Sequence, residues 1–115
     1  MLIKKPCDIK EEAIQVEGVR GISKQRLIAP PDGAPTFTMR KFTVQPGGYT
    51  FHHTHEFEHE IYVLNGKGIA KSADGDHEFE QDDVILVKPN EIHQFVNNSD
   101  EKLSFLCIIP NQEEN

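Results

Sequence analysis

Turn chemistry interrupts this chain at short, regular intervals, and no segment between the breaks carries a convincing amphipathic helical pattern. Short runs rich in β-branched and aromatic residues, bounded by Gly, Pro, Asn and Asp, read as strands. Such runs cover 19–28, 37–44, 61–64, 67–72, 77–80, 84–87, 93–96 and 103–109. The loop 29–35 holds three prolines and a glycine, and Pro46-Gly47-Gly48 stops the second strand. Asn65-Gly66 and Asp74-Gly75 read as hairpin turns, while Asp82-Asp83 and Pro89-Asn90 mark further breaks. Residues 103–109 are apolar on both faces of a strand, so that segment is expected to be central or buried. A faint helical pattern covers 9–15 alone. The fold class that follows is all-β, an antiparallel sandwich or barrel.

At 115 residues the chain is long enough for one domain with a real core, and too short for two. It divides into an N-terminal arm over 1–16, a barrel over about 19–109 and an acidic tail over 110–115 that is expected to fray. A formal charge of -7 argues against nucleic acid as partner, because phosphate binding needs a basic face. No apolar run reaches the ~20 residues of a membrane span, and no signal-peptide pattern opens the chain. Cys7 and Cys107 form no spaced framework and read as reduced thiols, which suits a cytoplasmic protein.

The stretch 46–66 holds four of the six histidines. In an extended strand His53 and His55 project from one side, roughly 7 Å apart, and can lean toward one ion. His52 then points away, and the run 61–64 carries His59 onto the next strand. His77 sits in a hairpin and reads as a surface residue. In the strand 37–44, Arg40 shares its phase with Phe42 and Val44. It either faces the barrel mouth, where it can hold an anion, or lies solvated on an edge strand. Phe105, Cys107 and Ile109 share one phase of the last strand, as a cavity wall or as core packing.

Gly47, His53, His55, His59 and Gly66 fall on the spacing of the first cupin motif, with His59 in the usual glutamate place and Glu60 as the alternative. Asp82, Lys88, Asn90, His93 and Asn97 occupy the second motif, whose histidine and asparagine match while its two glycines and its proline do not. The chain therefore resembles the cupin superfamily, and within it the small single-domain bacterial cupins that bind manganese through four histidines. The resemblance implies a jelly-roll barrel, metal ligands His53, His55, His59 and His93, and a homodimer. It also implies oxidoreductase or dioxygenase-like activity on a small-molecule substrate. Asn97 is expected to secure a turn.

Four neutral imidazoles fill four of six octahedral positions and leave two for water, dioxygen or substrate. They leave the ion's charge uncompensated, which favours an anionic or enolic substrate. Ligand type alone favours Fe, Cu, Ni or Zn, so manganese rests on the resemblance. Zinc closed by four histidines would be structural. Two alternatives stand beside the dioxygenase expectation: a non-catalytic small-ligand sensor, and a metal-dependent isomerase or lyase.

Overall fold

The computed structural model describes residues 1–112, and within them the expected strands form with changes at their ends. In chain order they are β1 (Glu12–Ile14), β2 (Arg20–Ile28), β3 (Phe37–Tyr49), β4 (His59–Asn65), β5 (Lys67–Ser72), β6 (Gly75–Glu80), β7 (Val84–Val87), β8 (His93–Val96) and β9 (Leu103–Pro110). Every pairing is antiparallel, and the strand order is β6-β5-β8-β3-β9-β4-β7, with β2 also on β3 and β1 on β2. The sheet is all-β and curled into a half-barrel.

The curl comes from β3. Its residues 37–44 pair with β9, while Tyr49 at its end pairs with Val96 of β8 instead, and β2 follows the strand on its other side from Met39 to Tyr49. Pro46-Gly47-Gly48 was expected to stop this strand; instead it is the corner where the strand changes layers. Pro46 lacks an N–H and is tolerated where the ladder breaks. Gly47 has φ +78, and its N–H donates to Asn97 O at 2.9 Å. A Cβ on Gly48 would sit 2.5 Å from Arg20 O, so only glycine lets the two backbones approach.

One layer is β2-β3-β9-β4-β7 and the other β8-β5-β6. Between them lies the core, which includes Val44, Val63, Phe79, Phe95, Leu103 and Phe105. Phe95 bridges the layers, its ring 6.1 Å from Phe79 and 5.5 Å from Phe105.

Three sequence expectations need correction. Asn65-Gly66 is not a hairpin turn, because β4 pairs with β7 and β9 and β5 pairs with β6 and β8. Gly66 is required there by φ +87 and by Lys102 O, which a Cβ would meet at 2.5 Å. The faint helical segment 9–15 contains the short strand β1, recruited by the edge of β2. The tail is anchored through Asn111, whose N–H donates to Thr36 O and whose side chain joins Thr38 and Ala34. Residues 113–115, the rest of the expected tail, lie outside the described residues.

Candidate metal centre

His53 reaches the site from an isolated bridge with His93, each N–H donating to the other's carbonyl at 3.1 Å. His55 follows in a loop pinned by Asn90 N–H, which donates to His55 O at 2.8 Å. That turn depends on Asn90 at φ 64, and the turn before β7 depends on Asp82 at φ 71. These two, the only non-glycine residues with positive φ among the described residues, stand where the second cupin motif carries glycine. His59 opens β4 and His93 opens β8, both from the inner face.

The four rings gather at one end of the barrel. Centroids lie 5.1 Å apart for His53 and His55, 5.0 Å for His53 and His93, and 4.8 Å for His55 and His93. One nitrogen from each of these three lies within 4.8 Å of the others. The fourth ring, His59, stacks on His55 at 4.1 Å and stands 5.5 Å from His93, outside the group of three converging donors. Glu60 projects from the opposite face of β4 and is exposed, so it cannot replace His59. His52 is exposed, and His77 pairs with Asp74 on the surface.

Backbone carbonyls set the tautomers. His55 Nδ1 lies 2.9 Å from Phe57 O, and His93 Nδ1 lies 2.8 Å from Glu91 O. A carbonyl only accepts, so each Nδ1 carries the proton and each Nε2 keeps its lone pair. The Nε2 atoms of His55 and His59 are buried and have no partner among the described residues. Burial and the neighbouring rings push His53 down to about 4 and His59 to about 2, and burial also lowers His93. Buried Nε2 lone pairs that meet no hydrogen-bond donor among the described residues fit a divalent ion.

The cavity beside these rings has a volume of about 290 Å³ and a largely aromatic wall that includes Phe42, Phe51, Phe57, Phe95 and Phe105. Arg40 also lines it. It lies on the inner face of a strand paired on both sides, not on an edge. Its Nη2 donates to Cys107 Sγ at 3.0 Å, its guanidinium lies 5.0 Å from the Phe42 ring centre, and its Nε is buried without a partner. Cys107 Sγ stands 2.9 Å from His59 Nδ1, and burial pushes the thiol up. Ile109 shares this face but packs into the core at the far end of β9, so it does not line the cavity as Phe105 and Cys107 do.

Sequence reading missed Phe51 and Phe57, although both flank the histidines at two-residue spacing. The carbonyls of Phe57 and Glu91 left no signal in the sequence. Asn97 secures a turn as expected: its amide donates to Val44 O and Glu101 O, and its carbonyl accepts from Ser99.

The family model of the cupin domain matches residues 40–109, from Arg40 to the end of the β9 wall. The chain belongs to the cupin family. This cupin is similar over its whole length to the polyketide cyclase RemF of Streptomyces resistomycificus, with 32% identity, 82% of that chain covered and a TM-score of 0.92. It is 29% identical over 90 residues to 1-methylthio-D-xylulose 5-phosphate methylsulfurylase of Rhodospirillum rubrum, covering 78% of this chain and 56% of that protein. This cupin therefore spans little more than half the length of that curated relative. A predicted oxalate decarboxylase of Thermotoga maritima shares the fold at 24% identity and a TM-score of 0.84, with 96% of this chain and all of that one covered.

Proposed function

We propose that this cupin is a metal-dependent enzyme in which His53, His55, His59 and His93 hold one divalent ion, manganese by resemblance, and in which a small enolic or phenolic anion is transformed. The observation that carries the reading is the gathering of the histidine rings at the aromatic cavity, with the Nε2 atoms of His55 and His59 buried and without partners among the described residues. A bound ion supplies Lewis acidity and, if redox-active, electrons for dioxygen. The protein supplies the rest. The phenylalanine wall excludes water and accepts a flat apolar body. Arg40, with a guanidinium N–H unspent, attracts the anionic end and orients it. The free thiols of Cys7 and Cys107 suit the reducing cytoplasm.

Dioxygenase-type oxidation is the primary reading. Similarity to RemF along the whole chain favours a second one, non-redox ring closure or isomerisation of a polyketone or enol. Elemental analysis of protein purified without added metal, followed by turnover of enolic and phenolic compounds with and without oxygen, tests both. Oxygen uptake that disappears in His55→Ala supports oxidation, and unchanged anaerobic turnover supports the second reading. Absence of metal-dependent turnover under both conditions rejects the enzyme.

A further inference from the structure

The charge of the chain and the charge of its cavity have opposite signs. The sequence carries 19 acidic side chains and a formal charge of -7, yet no Asp or Glu lines the aromatic cavity among the described residues. Its charged lining is Arg40 and a second cation, Lys24.

Register brings a charge on β2 to the interior. Lys24 lies two residues from Ile22, which pairs with Val44 in the core, and side chains two apart on a strand share a face. Lys24 itself pairs with Phe42 and is half-buried. Phe42 pairs in turn with Phe105 of β9, and the two rings stack with centroids 5.6 Å apart. The row Lys24, Phe42, Phe105 is therefore a flat apolar floor with an ammonium at its β2 end. At the other end stands β4, which pairs with β9 and carries His59. Neighbouring strands lie about 4.8 Å apart, so roughly 14 Å separates the β2 backbone from that of β4, with room for a ring between the lysine and the histidines.

Arg40 belongs to the histidine end. Its Nη2 is held on Cys107 Sγ, which meets His59 Nδ1. In the ladder Arg40 pairs with Arg26, so Lys24 is its diagonal neighbour on the adjacent strand and faces a different part of the cavity. Positive charge between low-dielectric walls concentrates anions. A lysine ammonium is a compact point charge that suits a carboxylate or a phosphate alike.

We propose that Lys24 binds a second anionic group, carboxylate or phosphate, at the end of the substrate ring opposite its enolic or phenolic oxygen. The inference rests on the enol or phenol reading given above and narrows it: the preferred substrate is a flat acid, not a simple enol or phenol. Arg40 reads the oxygen near the histidines, and Lys24 reads the acid.

Calorimetric titration of the manganese-loaded chain with para-hydroxybenzoate, para-hydroxyphenyl phosphate and the neutral-ended para-hydroxybenzamide tests this. At least one of the two acids should bind about tenfold tighter than the amide, the gain of one charged hydrogen bond, and the tighter of the two identifies the group. Lys24→Met should erase that preference without changing amide binding or metal content, and Lys24→Arg should keep it. Arg40→Met should weaken all three compounds and leave their ratios unchanged. Equal affinities in the wild type overturn the second anion subsite while leaving the phenol reading in place. So does a preference that survives Lys24→Met and disappears in Arg26→Met. Failure of all three compounds to bind overturns both.

Discussion

Phe57 O and Glu91 O fix which nitrogen of His55 and His93 is free, and no rule of side-chain spacing contains that information. The histidine types and intervals were visible in the sequence because they are properties of the side chains themselves. The acceptors that orient the rings are peptide groups, which every residue has. Arg40 illustrates the same limit. Its phase showed an inward charge, but its partner, the Cys107 sulfur, emerges only when β3 and β9 pair. The buried, unspent Nε leads to a prediction. Arg40→Met should weaken binding of a planar anionic ligand by about ten- to a hundredfold, the loss of one charged hydrogen bond. Binding of its neutral analogue and the metal content should not change. Calorimetric titration of the pair of ligands checks this, and equal losses for both would show that the arginine only shapes the wall.

Among the elements, the existence of every strand but β1 was legible and strand partners were not. Asn65-Gly66 carries the usual hairpin residues, yet it serves a crossing between layers, since a left-handed glycine suits either use. The Pro46-Gly47-Gly48 corner was misread for a related reason: local propensity marks a break in the ladder but cannot show that the strand resumes on a new neighbour. The corner also fixes the site, because Gly48 O accepts from Asn97 N–H at 2.9 Å and Thr50 N–H donates to Phe95 O at 2.9 Å, just before the chain reaches His53. Gly48→Ala forces a Cβ toward Arg20 O and Gln45 O. The expected cost is about 1–3 kcal/mol, typical of overpacking, with a matching fall in metal affinity as the histidine loop is displaced. Urea unfolding of metal-free protein measures the first effect and metal titration the second. A stability equal to wild type would mean that the corner is not tight.

For the molecule as a whole, the site costs stability that the metal is expected to return. His53, His59 and His93 are held below the ordinary histidine value, first of all by burial; the rings of His93 and His55 further lower His53, and the His55 ring and the Arg40 charge further lower His59. Their folded forms therefore bind fewer protons than the unfolded chain below about pH 6.5. The resulting contribution is fully present above that pH and is lost as pH falls toward about 4, the His53 value, and further toward the lower value of His59. Asp32 and Asp74 are also depressed, by hydrogen bonds from Lys4 and Ser72 respectively, but the stability they add is lost only below the carboxylate range. The two windows are thus separable. Metal-free protein should show a falling urea midpoint between pH 6.5 and 4.5, while His53→Gln should flatten that slope without altering the decline at lower pH. A divalent ion at a hundred times its dissociation constant should restore about 2.7 kcal/mol at neutral pH, and less as protons compete for the same lone pairs. An acid slope unchanged by His53→Gln and by metal would assign the sensitivity to groups outside the histidine cluster.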